Sequence, residues 1–208
     1  MPTMTIRSEE ALFESITSLS ETRGRLLVAL AGPPGSGKTT LADTLAQRFG
    51  EQAAVLPMDG FHLENDSLVE MGLLHRKGAP ETFDVQGFVD LLTRVRKGES
   101  VSYPTFDRKA DATCPDAGHL AANTQVVLIE GNYLLLTADP WSALAPLFDV
   151  KVRIDVSDEE LERRLVQRWL DHGLSPEDAR ARAMDNDMRN ARLVKENSIE
   201  PDLIYQTA

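Results

Sequence analysis

Residues 32–39 read Gly-Pro-Pro-Gly-Ser-Gly-Lys-Thr and match the phosphate-binding pattern G-x-x-x-x-G-K-[ST] at every fixed position. Glycines in such a loop let successive backbone N–H groups point into one concave nest, and the helix that follows adds the positive end of its dipole. The lysine can then reach the β- and γ-phosphates of a nucleotide, and the threonine hydroxyl can ligate Mg²⁺. The predicted nucleotide-binding residues are Gly32, Pro33, Pro34, Gly35, Ser36, Gly37, Lys38, Thr39 and Thr40.

The segments on either side of this loop support the same interpretation. Residues 26–31 form a short apolar run that is typical of a buried strand. After the loop, Leu41, Leu45 and Phe49 recur at helical spacing, and Gly50 stands where a helix would end. The alternative is a glycine-rich turn that binds nothing. Because such a turn needs neither the strand nor the helix, the sequence favours a phosphate loop.

Two acidic residues directly follow other apolar runs. Asp59 comes after residues 53–57 and precedes Gly60, which would permit close approach of a ligand. A carboxylate there could accept the proton of a substrate hydroxyl; the alternative is an ordinary turn aspartate. Glu130 ends the run 126–129, where a carboxylate could hold Mg²⁺ or simply face solvent. Since parallel strands end at one edge of a sheet, we expect both acids near the phosphate loop.

The segment 163–182 is rich in arginine and spans two predicted helices. An arginine that closes over a nucleotide would neutralise charge that develops during phosphoryl transfer, and Arg168 is the first choice for this role. The alternative is a solvated helix face paired with nearby glutamates. The histidines show no metal-ligand spacing, and His62 could either line a substrate pocket or lie at the surface. The arginines considered are Arg163, Arg164, Arg168, Arg180 and Arg182.

Strands and helices alternate along the chain, which predicts an α/β fold with a mostly parallel sheet and helices on both faces. We expect one domain over residues 1–208, with a core of about 22–208 and a helical lid of about 163–190. Ser8, Asp84 and Ser157 are predicted helix N-caps. The predicted strands are 26–31, 53–57, 126–131, 150–156 and 201–205. The predicted helices are 8–20, 85–97 and 157–172, together with one that ends at residue 49 and one that starts at 175–176. Residues 101–108 are expected to be extended, and residues 109–124 are expected to form a loop.

The bulk composition excludes several classes of protein. The 208 residues carry a net charge of −11, which argues against a nucleic-acid or anionic-membrane binder. A hydrophobic content of 42% is too high for a disordered chain. With Cys114 as the single cysteine there can be no intrachain disulfide, and we found neither a signal peptide nor a membrane-spanning run. These features predict a cytoplasmic protein that acts on a small molecule, and they leave a homodimer open.

Four segments together resemble the phosphoribulokinase, uridine kinase and pantothenate kinase family of P-loop kinases. Residues 58–65 (MDGFHLEN) are similar to the segment that holds the family's catalytic aspartate, and 76–84 (RKGAPETFD) resemble a stretch of bacterial pantothenate kinases. Residues 103–108 (YPTFDR) stand where the family has a substrate-facing segment, and 128–133 (LIEGNY) match its I-x-E-G strand end. The likeness covers about residues 25–205 and is greatest to a compact bacterial subgroup of kinases linked to fructose transport.

The resemblance implies a three-layer P-loop fold with a helical lid and an ATP-dependent kinase that uses Mg²⁺. It implies that Asp59 is the general base and that Lys38 assists transfer. The predicted site residues are Asp59, Lys38 and Arg168 for catalysis; Asp59, His62, Asp84, Tyr103 and Arg108 for substrate binding; and Thr39 and Glu130 for the metal.

The implied reaction is phosphoryl transfer from ATP to a hydroxyl of a small metabolite, with a fructose-like sugar as the first choice. A uridine-type nucleoside kinase and a pantothenate kinase remain alternatives. The chain is, however, shorter than pantothenate kinases, and glycine follows Asp59 where uridine kinases usually have serine. A transporter-linked regulatory ATPase without an acceptor is a further alternative. The sequence contains no N-K-x-D guanine signature, so a GTPase is not expected.

Overall fold

The computed structural model describes residues 3–206 and is built around a six-stranded parallel sheet with the strand order β1-β8-β7-β2-β6-β3. The two remaining strands, β4 and β5, form a separate antiparallel pair. The strands are β1 (Met4–Ile6), β2 (Leu26–Ala31), β3 (Ala53–Pro57), β4 (Val101–Asp107), β5 (Ala112–Leu120), β6 (Val126–Gly131), β7 (Val150–Asp155) and β8 (Leu203–Gln206). The helices are α1 (Glu9–Ser20), α2 (Lys38–Phe49), α3 (Asn65–Glu70), α4 (Val85–Arg96), α5 (Asp158–Asp171), α6 (Pro176–Arg182) and α7 (Met188–Asn197).

Helices cover both faces of the sheet, which confirms the predicted three-layer α/β fold. Strands β2 and β6 are buried along their whole length, as expected of central parallel strands. Alternate side chains of these strands enter two hydrophobic cores, because successive residues of a strand point to opposite faces. One core includes α4 and Trp141, and the other includes α1, α2 and α5. The sheet therefore forms a rigid platform for the loops at its edge.

The predicted helix starts are confirmed by side-chain caps. The hydroxyl of Ser8 accepts from the backbone N–H of Ala11, and Ser157 caps α5 in the same way through Glu160. Asp84 accepts from Gly87 N at 2.9 Å and starts α4. These caps satisfy N–H groups that have no partner within the helix.

The prediction that residues 109–124 form a loop is wrong. Residues 112–120 form β5, which pairs antiparallel with β4 across a turn that contains Asp111 at a positive φ of 52°. The sequence of β5 has few β-branched or aromatic residues, so its strand propensity is low. Pairing with β4 and packing of the Tyr103 ring over Gly118 stabilise the strand instead. The short elements β1 and α3 also lacked a recognisable sequence signal.

The strands that carry the candidate site residues end side by side. In the sheet register, Ala31 of β2 lies beside Gly131 of β6, and Pro57 of β3 lies beside Glu130. The residues after these strand ends therefore share one edge of the sheet. No helix within residues 3–206 has the length and apolar character needed to cross a membrane.

Candidate active site

The phosphate loop connects β2 to α2 and has the backbone geometry of an anion-binding nest. Gly35 and Gly37 have φ values of 79° and 85°, in the left-handed region that favours glycine. Gly37 is the N-cap of α2, so the positive end of a twelve-residue helix faces the loop. The loop residues Pro34, Gly35, Gly37, Lys38, Thr39 and Thr40 line a cleft of about 820 Å³, whereas Gly32, Pro33 and Ser36 are buried behind them.

Lys38 lies at the floor of this cleft. Loss of hydration lowers the pKa of its ammonium group, and the carboxylates of Glu130 and Asp59 act in the opposite direction. A cation that is half-buried and flanked by two acids is poised to exchange water for a phosphate group. The structure thus brings together the lysine and both predicted acids.

Glu130 and Thr39 form a contact that fits a magnesium site. The hydroxyl of Thr39 donates to Oε1 of Glu130 at 3.2 Å. Glu130 is buried, which raises the pKa of its carboxyl, while the charge of Lys38 lowers it. No group of three or more His, Cys, Asp or Glu side chains in residues 3–206 could hold a metal by itself. Mg²⁺ commonly takes only one or two protein oxygens, with water and phosphate completing its shell, so these two residues fit that ion.

Asp59 reaches the same cleft from the end of β3. It lies on a short 3₁₀ turn, Met58–Phe61, and its side chain is 21% exposed. The guanidinium of Arg108, at the tip of the β4–β5 hairpin, donates to Oδ2 of Asp59 at 2.6 Å. The carboxylate is therefore paired with a cation and is still accessible to a hydroxyl in the cleft.

Gly60 has a structural role that differs from the predicted close approach of a ligand. A side chain at this position would overlap the backbone carbonyl of Pro104 in β4. Glycine therefore lets the hairpin pack directly against the turn that carries Asp59. This contact places Arg108 beside the acid.

An aromatic wall stands beside Asp59. The His62 ring stacks between Phe83 and Phe106, with ring centroids 4.1 and 4.5 Å away. Its Nδ1 donates to the backbone carbonyl of Asp59 at 2.7 Å. Burial lowers the pKa of His62, although the neighbouring Asp59 opposes this shift. All three rings line the cleft, so they give it a largely apolar wall beside Asp59.

Two residues predicted to face the substrate lie elsewhere. The Tyr103 ring is 8% exposed, and its hydroxyl donates to the Val55 carbonyl at 2.9 Å, which joins β4 to β3. Asp84 caps α4 and is not among the residues that line the cleft. Both residues therefore hold the surrounding elements together instead of facing the substrate. The Tyr103 hydroxyl donates to a backbone carbonyl, and Oδ1 of Asp84 accepts from a backbone N–H.

The helical segment 163–190, called the lid below, contributes two arginines to the cleft. Arg168 and Arg182 line it. Burial is the main cause of the lowered pKa of Lys38, and the positive charge of Arg168 lowers that pKa further. Arg164 donates to the Gly35 carbonyl at 3.3 Å and so contacts the phosphate loop from behind. Arg163 and Arg180 form exposed ion pairs with glutamates of α5.

Sequence reasoning missed several residues of the cleft. Asn132 follows Glu130 by two positions, so its place at the same strand end offered a usable signal. Asn190 is 1% exposed, and neither its Oδ1 nor that of Asn132 has a hydrogen-bond partner in the described part of the chain. Lys77 lies in the segment 76–84 and Trp169 in the arginine-rich segment 163–182, but neither residue was itself predicted to line the cleft. Asn190 lies in α7, whose sequence gave no indication of its position. These side chains extend the cleft well beyond the phosphate loop.

Comparisons with known proteins agree with this arrangement. A profile of the phosphoribulokinase / uridine kinase family matches residues 27–192. A solved chain from Silicibacter sp. TM1040, provisionally named a fructose transport system kinase, shares 46% identity and a TM-score of 0.91, covering 96% of this chain and all of that one. A protein of Schizosaccharomyces pombe, provisionally named a uridine kinase, is 33% identical over 97% of this chain and 91% of its own length. The pantothenate kinase of Rhodococcus erythropolis is 30% identical over 69% of this chain and 48% of its own length.

The profile match spans most of the chain, from β2 into α7, and includes the phosphate loop, Asp59 and Glu130. The likeness to the Silicibacter structure extends over nearly all of the sheet and the lid. The chain therefore belongs to the phosphoribulokinase / uridine kinase family and is a kinase.

Proposed function

We propose that this kinase transfers the γ-phosphoryl group of ATP to a hydroxyl of a small sugar, with a fructose-like sugar as the first candidate. The observation that carries the proposal is that Lys38, Thr39 and Asp59 line one cleft. A phosphate loop and a carboxylate that face each other are what in-line transfer to an alcohol requires.

The residues divide the work between charge stabilisation and proton transfer. Asp59 orients the acceptor hydroxyl and accepts its proton. Lys38 and Arg168 neutralise negative charge that spreads over the transferring group. Thr39 and Glu130 would hold Mg²⁺, which supplies further neutralisation of the phosphates when it is bound. Arg108 keeps Asp59 in place until a hydroxyl takes a position beside it.

The wall of His62, Phe83 and Phe106 supports a true acceptor site. A regulatory ATPase has no need of such a surface beside the base, so the wall favours the kinase over that alternative. The sugar assignment rests on the name of the Silicibacter protein. Uridine and pantothenate are the rival acceptors, because relatives carry those names. The chain spans about half the length of the pantothenate kinase that it matches, which makes that acceptor the weaker rival.

An acceptor panel tests the proposal. Release of ADP from MgATP is measured with no acceptor and with D-fructose, other free sugars, uridine or pantothenate, and the phosphorylated product is identified by mass spectrometry. We expect strong stimulation by a sugar. Stimulation by uridine or pantothenate alone would replace the sugar with that acceptor, and slow hydrolysis unaffected by any acceptor would favour the regulatory ATPase.

A further inference from the structure

A π-helical turn in the lid touches both sides of the cleft. The turn, Ala183–Asp187, lies between α6 and α7. Such turns are rare and occur frequently at functional sites. Its last two residues, Asn186 and Asp187, are 6% and 7% exposed, and buried polar side chains need partners. Their partners lie in two different parts of the molecule.

Asn186 binds the side of the cleft that is formed by Asn65, Lys77 and Asp111, which is called the acceptor side below. Its Oδ1 accepts from Nη1 of Arg76 at 2.9 Å, and its Nδ2 donates to the Lys77 carbonyl at 3.4 Å. Nearby, Nη1 of Arg182 donates to the His75 carbonyl at 3.4 Å. Three hydrogen bonds therefore join the lid to residues 75–77, although about 110 positions separate the two segments in sequence.

The segment bound by Asn186 is itself part of the acceptor side. Nζ of Lys77 donates to Oδ1 of Asn65 at 2.6 Å and to the carbonyl of Asp111, on the β4–β5 turn, at 2.8 Å. Lys77, Asn65 and Asp111 all line the cleft. The next residue, Gly78, accepts from the hydroxyl of Tyr133 at 2.6 Å. A shift of this segment would therefore be transmitted directly to Asn186.

Asp187 binds the side of the cleft that is formed by Lys38 and Arg168, which is called the phosphate side below. Its Oδ2 accepts from Nη2 of Arg168 at 2.9 Å and from Nε1 of Trp169 at 2.7 Å. Arg168 is the lid arginine that lies close to Lys38. Asn186 and Asp187 are consecutive residues of one helical turn, so neither can move far without the other.

We propose that Asn186 is a positioning residue that couples the acceptor side of the cleft to Arg168. The proposal rests on the proposed function, because it assigns a purpose to both sides of one transfer site. Residues 75–77 set the position of Asn186, the π-turn carries that position to Asp187, and Asp187 sets the guanidinium of Arg168 over the phosphate loop. Charge stabilisation by Arg168 is then greatest when the acceptor side is in its assembled state, which favours transfer to an acceptor over loss to water.

Trp169 provides a test that needs no acceptor. The chain has two tryptophans, and the other, Trp141, is in the core, so a Trp141→Phe background leaves Trp169 as the only reporter of the lid. In that background Asn186→Ala is expected to raise acrylamide quenching of Trp169 by about twofold, since the turn that holds its Nε1 is released. Arg76→Ala removes the same bond from the other partner and should give the same change. Asp185→Ala, an exposed change on the same turn, is the matched control and should leave quenching unaltered.

The kinetic test uses the acceptor among D-fructose, uridine and pantothenate that the unaltered enzyme phosphorylates. We expect Asn186→Ala to lower kcat by about tenfold or more with the KM for MgATP changed by less than about threefold. Asn186→Asp keeps the acceptor for Arg76 and should recover part of the loss. The ratio of ADP released to acceptor phosphorylated should rise in Asn186→Ala and not in Asp185→Ala.

Unchanged quenching and kcat in both Asn186→Ala and Arg76→Ala would overturn the coupling. A parallel loss of MgATP binding and acceptor transfer would also overturn it, because it would indicate a general structural role. If Asn186→Ala does not fold, Arg76→Ala gives the decision. Should the unaltered enzyme phosphorylate none of the three acceptors, the proposed function fails at that step, while the quenching result still decides the coupling.

Discussion

Gly60→Ala tests whether the hairpin is packed on the turn that carries Asp59. The added Cβ would overlap the Pro104 carbonyl oxygen and lie 2.6 Å from its carbon and 3.2 Å from Cα of Thr105. Carbon atoms pack best at about 3.5–4.0 Å, so the turn and β4 must separate by roughly 1 Å. All three contacts involve backbone atoms, which cannot rotate away as a side chain can.

The size of the effect follows from this separation. Overpacking of this kind lowers the free energy of unfolding by about 1–3 kcal/mol, and a domain of this length loses about 2–4 °C in Tm for each kcal/mol. We therefore expect Tm to fall by roughly 2–12 °C. Because Asp59 and Arg108 stand on the two separated elements, a misplacement of about 1 Å can also lower the transfer rate by up to about 100-fold.

The assay compares thermal unfolding and the rate of phosphoryl transfer for Gly60→Ala and Gly24→Ala. Gly24 is the matched control, since nothing lies within 4 Å of a Cβ built there and its φ is not in the left-handed region. Gly24→Ala should keep both the Tm and the rate. If Gly60→Ala behaved like this control, the close packing of β4 on the Asp59 turn would be refuted.

Three further changes test other parts of the site. Lys38→Met removes the cation at the floor of the cleft and should lower ATP turnover by at least about 100-fold in a steady-state assay; an unaltered rate would contradict the phosphate loop. Tyr133→Phe leaves the carbonyl of Gly78 without its partner and should cost about 1–3 kcal/mol in urea unfolding, whereas an equal midpoint would show that this bond contributes nothing. Burial lowers the pKa of His62 in the folded protein below its usual value of 6.5. The neutral ring therefore contributes its full stability at pH values above 6.5, and that stability is lost as the pH falls through the lowered pKa. The Tm of His62→Gln should therefore fall less than that of the unaltered protein on acidification below 6.5, and parallel curves would contradict this sign.

Local sequence signals were sufficient for the centre of the site. The phosphate loop lies within eight consecutive residues, Asp59 lies two residues after the end of β3, and Glu130 is the second-last residue of β6. Because parallel strands end at one edge, knowing the strand ends was enough to bring these groups together. The helix caps Ser8, Asp84 and Ser157 were predictable for the same reason, since a cap acts within three residues of itself.

Contacts between distant segments could not be predicted in this way. Asn186 meets Arg76 across 110 positions, and nothing in either local sequence points to the other. Tyr103 was expected to face the substrate, but its hydroxyl joins β4 to the carbonyl of Val55. The strand β5 exists because β4 pairs with it, not because its own residues favour a strand.

Asp59→Asn tests the central claim most directly, because it removes the proton acceptor and keeps the shape of the side chain. The measurement is the rate of acceptor phosphorylation at saturating MgATP, with the Kd for MgATP measured by calorimetry on the same preparation. We predict a loss of transfer of at least about 100-fold with little change in Kd. Transfer at the full rate would contradict the assignment of Asp59 as the group that activates the acceptor hydroxyl.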